Sequence, residues 1–129
     1  MKPLRLLMLS ALLVGGLLAA DAHGASFEAI DSNKDGKIDL SEVKAVASRR
    51  FDQLDRKRTG TLTRAQIGRV RVSRAEFAAA DPDKDGTLSR DEYLALVEKR
   101  FNAADTDHSG TLTSQQFNSR AGLPLRRLL

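Results

Sequence analysis

Asp31-Ser32-Asn33-Lys34-Asp35-Gly36-Lys37-Ile38-Asp39-Leu40-Ser41-Glu42 is the stretch that decides how this chain is read. Side-chain oxygens fall at its first, third, fifth, ninth and twelfth places and a glycine at the sixth, so oxygens converge where the backbone turns sharply. A hard cation asks for such a set. Calcium takes about 6–8 oxygens at about 2.3–2.6 Å, and a short loop supplies them by pointing alternate side chains inward and adding a backbone carbonyl. Asp31, Asn33 and Asp35 are the expected early ligands, Lys37 offers its carbonyl rather than its ammonium, Asp39 binds directly or through water, and Glu42 closes the shell with both oxygens. Gly36 admits a backbone angle that a side chain would penalise. The apolar Ile38, at the eighth place, suits a short β contact with another loop of the same kind. The plainer reading, a solvated acidic turn ahead of a helix, does not explain why every ligand place is filled.

The same pattern returns three times. Phe27, Phe51, Phe77 and Phe101 each stand four residues ahead of an aspartate that begins a loop, at Asp31, Asp55, Asp81 and Asp105. Gly36, Gly60, Gly86 and Gly110 hold the sixth place, Ile38, Leu62, Leu88 and Leu112 the eighth, and Val43, Ile67, Tyr93 and Phe117 follow the twelfth. Each repeat therefore reads helix, loop, helix.

These repeats resemble the EF-hand family, over nearly all of the chain beyond its first residues, and the whole is similar to small secreted bacterial members, more distantly to calmodulin. The resemblance implies calcium binding and, in sensors, helix pairs that open to expose an apolar groove. The expected fold is all-α: four helix–loop–helix hands in two halves, residues 23–72 and 73–120.

The loops differ in quality. In the third, Asp81, Asp83, Asp85, Ser89 and Glu92 fill the side-chain places and Thr87 the carbonyl place, so it is expected to bind at least as well as the first. In Asp55 to Gln66 the third, fifth and twelfth places hold Lys57, Thr59 and Gln66, which leaves one acid and an ammonium competing for the centre. That loop reads as structural. In the fourth, Asp105, Asp107 and Ser109 keep the early places, Thr111 the carbonyl place and Thr113 the ninth, but Gln116 offers one neutral oxygen instead of a bidentate carboxylate. About two main calcium ions are expected, with a third, weak site in loop four.

Spacing shapes the topology. Nothing between Val43 and Leu54 breaks a helix, and one helix from about Leu40 to Leu54 would hold the first two loops roughly 20 Å apart at about 1.5 Å per residue. Tyr93 to Ala104 repeats this. Helices shared between neighbouring hands are therefore expected, with loops pairing between non-neighbours or across a bend. Ser73 with Glu76 forms a capping box and marks the boundary between halves.

Met1 to Ala22 reads as a secretory signal: Lys2 and Arg5, an apolar run from Leu6 to Leu18, then Ala20-Asp21-Ala22 as small residues at the peptidase site. The run is interrupted by Ser10, Gly15 and Gly16 and is short against the roughly 20 residues that span a bilayer. With no cysteine for a disulfide or a lipid anchor, a soluble periplasmic or secreted protein is expected. Cleavage after Ala22 would remove two of 21 basic and one of 17 acidic residues, leaving a net charge of +3.

Ten basic residues lie between Lys44 and Arg74, with Asp52 and Asp55 the only acids. They read as solvated helix faces partly paired with acidic loops, or as a surface drawn to the phospholipid head groups of an anionic membrane surface, lipopolysaccharide or a polyanion. One tyrosine and no tryptophan argue against nucleic acid as a partner. Val43, Val46, Phe51, Leu54, Tyr93, Leu94, Val97 and Phe101 recur at helical spacing and read as core. Residues 121–129, with a helix stop at Ala121-Gly122 and Pro124, read as a flexible basic and apolar tail. His23 and His108 have no evident nucleophile to activate, so an enzyme is not expected. The function expected is calcium sensing or buffering outside the cytoplasm by a monomer, with a calcium-dependent protein partner where it senses. The alternative is an adhesive or scaffolding module that calcium rigidifies.

Overall fold

The computed structural model describes residues 25–129, with the side chain of Arg69 left out; the expected signal and His23 lie outside the described residues. In chain order the elements are α1 (Phe27–Ile30), β1 (Lys37–Asp39), α2 (Leu40–Leu54), β2 (Thr61–Thr63), α3 (Arg64–Ile67) and a 3₁₀ turn (Gly68–Val70). Then come α4 (Arg74–Ala80), β3 (Thr87–Ser89), α5 (Arg90–Ala104), β4 (Thr111–Thr113), α6 (Ser114–Asn118) and α7 (Leu123–Arg126).

The all-α expectation is corrected. Strand accounts for 12% of the structure against 54% helix, and it forms two antiparallel two-stranded sheets. The cause lies at the eighth place of each loop, where an apolar residue must leave water and finds its twin across the pair. Ile38 opposes Leu112, Leu62 opposes Leu88, and all four are fully buried. Flanking β-branched threonines at Thr61, Thr63, Thr87, Thr111 and Thr113 suit extended backbone.

The order of pairing follows from the helices. α2 runs unbroken from the end of loop one to the start of loop two, and α5 does the same for loops three and four. Neighbouring loops thus sit at opposite ends of a 15-residue helix, about 22 Å long. Each loop therefore pairs across the two halves: one with four, two with three. The halves at 23–72 and 73–120 share one hydrophobic cluster instead of closing two. Its centre is the α2–α5 contact, where Phe51 meets Tyr93 edge to face at 5.7 Å, while Phe27 meets Phe117 at 6.0 Å beside the first sheet. Of the expected core residues only Leu94 is half-buried.

The expectation of a free tail is also corrected. Leu125 and Leu128 are wholly buried, because a domain this small has too little apolar surface to leave four leucines in water. Tyr93 donates its hydroxyl hydrogen bond to the Leu128 carbonyl at 2.7 Å, and burial pushes its phenol well above the usual range. Arg100, only 6% exposed, binds the Glu76 carboxylate at 2.9 Å and donates to the carbonyls of Pro124 at 2.6 Å and Arg71 at 3.3 Å. A buried guanidinium is tolerated when it is paired in this way. It ties α4, α5 and the tail to one point.

Candidate metal centres

The four loops share one backbone design. The first-place aspartate ends the preceding helix, and its carboxylate accepts the N–H groups of the fifth and sixth places: Asp31 from Asp35 and Gly36 at 3.2 and 3.0 Å, Asp81 from Asp85 and Gly86 at 3.3 and 2.9 Å. The chain then needs two left-handed residues. Lys34 and Gly36 supply them in loop one at φ +58° and +81°, and the glycine makes the larger angle possible without strain. The ninth residue caps the helix that follows, in a reciprocal box with the twelfth: Asp39 with Glu42, Thr63 with Gln66, Ser89 with Glu92, Thr113 with Gln116.

In loop three the early acids converge. One carboxylate oxygen from each of Asp81, Asp83 and Asp85 lies within 4.8 Å of the others. A proton shared with Asp81 and the nearby charges of Asp85 and Glu92 raise the Asp83 carboxyl above its ordinary value. This is what an oxygen site built for a cation shows on its own residues, since several anions crowd together without counter-charge. Thr87 and Ser89 flank the cluster on β3, and Glu92 faces it from the first turn of α5 with one oxygen on the Ser89 N–H at 2.8 Å.

Loop one repeats the arrangement with Asn33 in place of the middle acid. Asp35 and Asn33 accept the N–H groups of Lys37 and Asp35 at 2.9 and 3.3 Å, and Lys37 directs its side chain to solvent. Glu42, 9% exposed, accepts from Asp39 at 3.0 Å through one oxygen and from Ser32 and Asn33 at 2.8 and 3.3 Å through the other. Burial works to raise its carboxyl, but these donors outweigh it and hold the group below the usual range. A hard, all-oxygen donor set of this kind fits calcium.

Loops two and four fill their centres differently. Asp55 takes the N–H groups of Thr59 and Gly60 at 3.0 and 2.8 Å, and it is the only acid of its loop; Gln66 turns its amide N–H₂ to the Leu54 carbonyl at 3.3 Å. Those residues do not fit a divalent cation. In loop four the Gln116 amide donates to Asp107 at 3.2 Å, and this bond, with others from Asp105 and Ser109, pushes the Asp107 carboxyl down to about 2. Ser109 bridges Asp105 and the Thr111 carbonyl at 3.3 and 2.9 Å. Asp105, Asp107, Ser109, Thr111, Thr113 and Gln116 thus stand together as a self-satisfied network with two acids. The sequence pattern missed the double use of the ninth and twelfth places, although the capping-box spacing was there to read.

The sequence matches the family model of the EF-hand domain pair over residues 20–117. The chain belongs to the EF-hand family. As an EF-hand protein it binds calcium. No curated protein matches it closely enough to count as a relative. No helix among the described residues of this EF-hand chain is long and apolar enough to cross a membrane.

Proposed function

We propose that this protein is an exported calcium-binding EF-hand module, a binding protein rather than an enzyme, with two main sites. Asp31, Asn33, Asp35, Asp39, Glu42 and the Lys37 carbonyl form one. Asp81, Asp83, Asp85, Ser89, Glu92 and the Thr87 carbonyl form the other. Loop four, through Asp105, Asp107, Ser109, Thr111, Thr113 and Gln116, takes calcium weakly, and loop two serves the fold. The observation that carries this reading is the convergence of Asp81, Asp83 and Asp85 in loop three; loop one has the same aspartates at its first and fifth places and the same glutamate at its twelfth, with Asn33 at the third.

Export rests on the charged, apolar and small-residue order of Met1 to Ala22. The module would then work where calcium is abundant, in the range of about 10⁻⁴–10⁻³ M typical of extracellular modules. Buffering is the use that the buried surface favours: among the described residues Leu123 is the one large apolar side chain left exposed, and the tail covers the core. Calorimetry on residues 23–129 tests the proposal. Saturable calcium heat is expected, reduced by Glu42→Gln and by Glu92→Gln separately. No heat, or variants that titrate like the parent, would overturn it. A hydrophobic dye that brightens on calcium saturation would replace the buffer with a sensor.

A further inference from the structure

Hand two carries a second, oppositely charged feature. Two adjoining grooves, of about 520 and 430 Å³, share Arg50 and Gln53 on the outer face of α2. The first is edged by Arg50, Arg56 and Lys57 over Leu54 and Ala65; the second by Arg49 and Arg50 beside Val46. Four cations therefore line the two adjoining grooves, Arg49 and Arg50 on α2 and Arg56 and Lys57 in the loop just past its end.

What matters is that no salt bridge among the described residues neutralises them. Between Lys44 and Arg74 the only acids are Asp52 and Asp55. Asp52 is taken by Arg90 from α5, and Asp55, 6% exposed, is turned inward onto Thr59 and Gly60. Lys44 is paired with Glu98 at 2.9 Å. Arg49, Arg50, Arg56 and Lys57 enter no salt bridge among the described residues, and Arg50 bonds only the neutral Gln53, at 3.2 Å. The loop with a single acid thus lies beside a cationic rim.

We propose that this groove binds a linear polyanion carrying sulfate or phosphate groups. Guanidinium forks match the tetrahedral oxyanion with paired hydrogen bonds. Two cation pairs, one on α2 and one in the loop beyond it, ask for two or more such groups on one chain. The recess, with its apolar floor, suits a chain laid along it better than it suits the flat face of a bilayer. The groove uses no carboxylate of loops one or three, so it and the calcium sites stand or fall by separate measurements.

The test is titration of calcium-saturated residues 23–129 with a short, fully sulfated oligosaccharide, and of the calcium-free chain with tripolyphosphate. Saturable one-to-one binding of at least one of the two is expected. By counterion release at about 0.7 per contact on a flexible strand, log K should fall against log salt with a slope of about −3. Arg49→Gln with Arg50→Gln, and separately Arg56→Gln with Lys57→Gln, should each weaken binding at least about tenfold and halve that slope. Arg71→Gln with Arg74→Gln, exposed cations outside the groove, should change neither. A similar loss in this last pair would show diffuse charge and overturn the proposal. So would binding to neither probe, or binding confined to phosphatidylglycerol vesicles. Thermal melting of each variant checks that the fold is intact.

Discussion

Each sheet sets a loop closed by glutamate beside one closed by glutamine: Glu42 against Gln116 across β1–β4, and Glu92 against Gln66 across β2–β3. The two kinds of loop fold alike. Their twelfth residues accept the ninth-place N–H at 3.0 and 2.8 Å in the glutamate loops and at 2.7 and 2.9 Å in the glutamine loops. A neutral amide oxygen meets the same N–H at the same range of distance as a carboxylate does, but it brings no charge to a cation. Capping and ion binding are thus separable properties of one position, and a loop can keep the first while losing the second.

That separation predicts that loop two matters for stability as much as loop one. Leu62→Ala and Ile38→Ala, both fully buried in the strand pairs, should each cost about 2–5 kcal/mol of calcium-free stability. Urea unfolding measures both; a Leu62→Ala cost under half the Ile38→Ala cost would break the equivalence. The next effect concerns binding alone. Glu92→Gln should leave the calcium-free melting temperature nearly unchanged while weakening loop three at least about 100-fold, since even outer-shell changes at metal sites cost about 10–100-fold. Titration beside a thermal melt shows whether the two properties part as expected.

A smaller effect runs the other way. Gln116→Glu restores the carboxylate to loop four and removes the amide bond to Asp107, so its calcium affinity should rise by about tenfold, about 1.4 kcal/mol. The smallest effect lies outside the loops. Burial works to raise the Glu76 carboxyl, but Arg100 outweighs it and holds the group below its ordinary 4.5. A depressed folded value means stabilisation that is present above pH 4.5 and lost as pH falls through the folded value. The calcium-free protein should therefore lose stability on acidification, and Glu76→Gln should flatten that part of the profile. An unchanged profile would show that the Arg100 tie contributes nothing.

Much of this was legible in the chain. The twelve-place pattern located all four loops, and the uninterrupted run from Val43 to Leu54 implied the shared helix that forbids neighbouring loops to pair. Which loops then met was not legible, because Ile38, Leu62, Leu88 and Leu112 are interchangeable as apolar partners and only the packing of α2 on α5 selects among them. The sheets were missed as a fold-class feature because three-residue strands leave no alternating pattern long enough to detect. The tail read as mobile since Gly122 and Pro124 break helices. Its anchors, Tyr93 and Arg100, lie about 30 residues earlier, and nothing local marks them. The separation of Asp52 from its neighbours Arg49 and Arg50 was invisible for the same reason: Arg90, its partner, comes from the other half.

The claim that two loops hold calcium firmly while their glutamine-closed partners do not is tested most directly by counting ions. Native mass spectrometry of residues 23–129 at a calcium concentration just above saturation of the main sites should show two bound ions, falling to one in Glu42→Gln and one in Glu92→Gln and rising to three in Gln116→Glu. Four ions in the parent, or an unchanged count in either glutamate variant, would contradict the account.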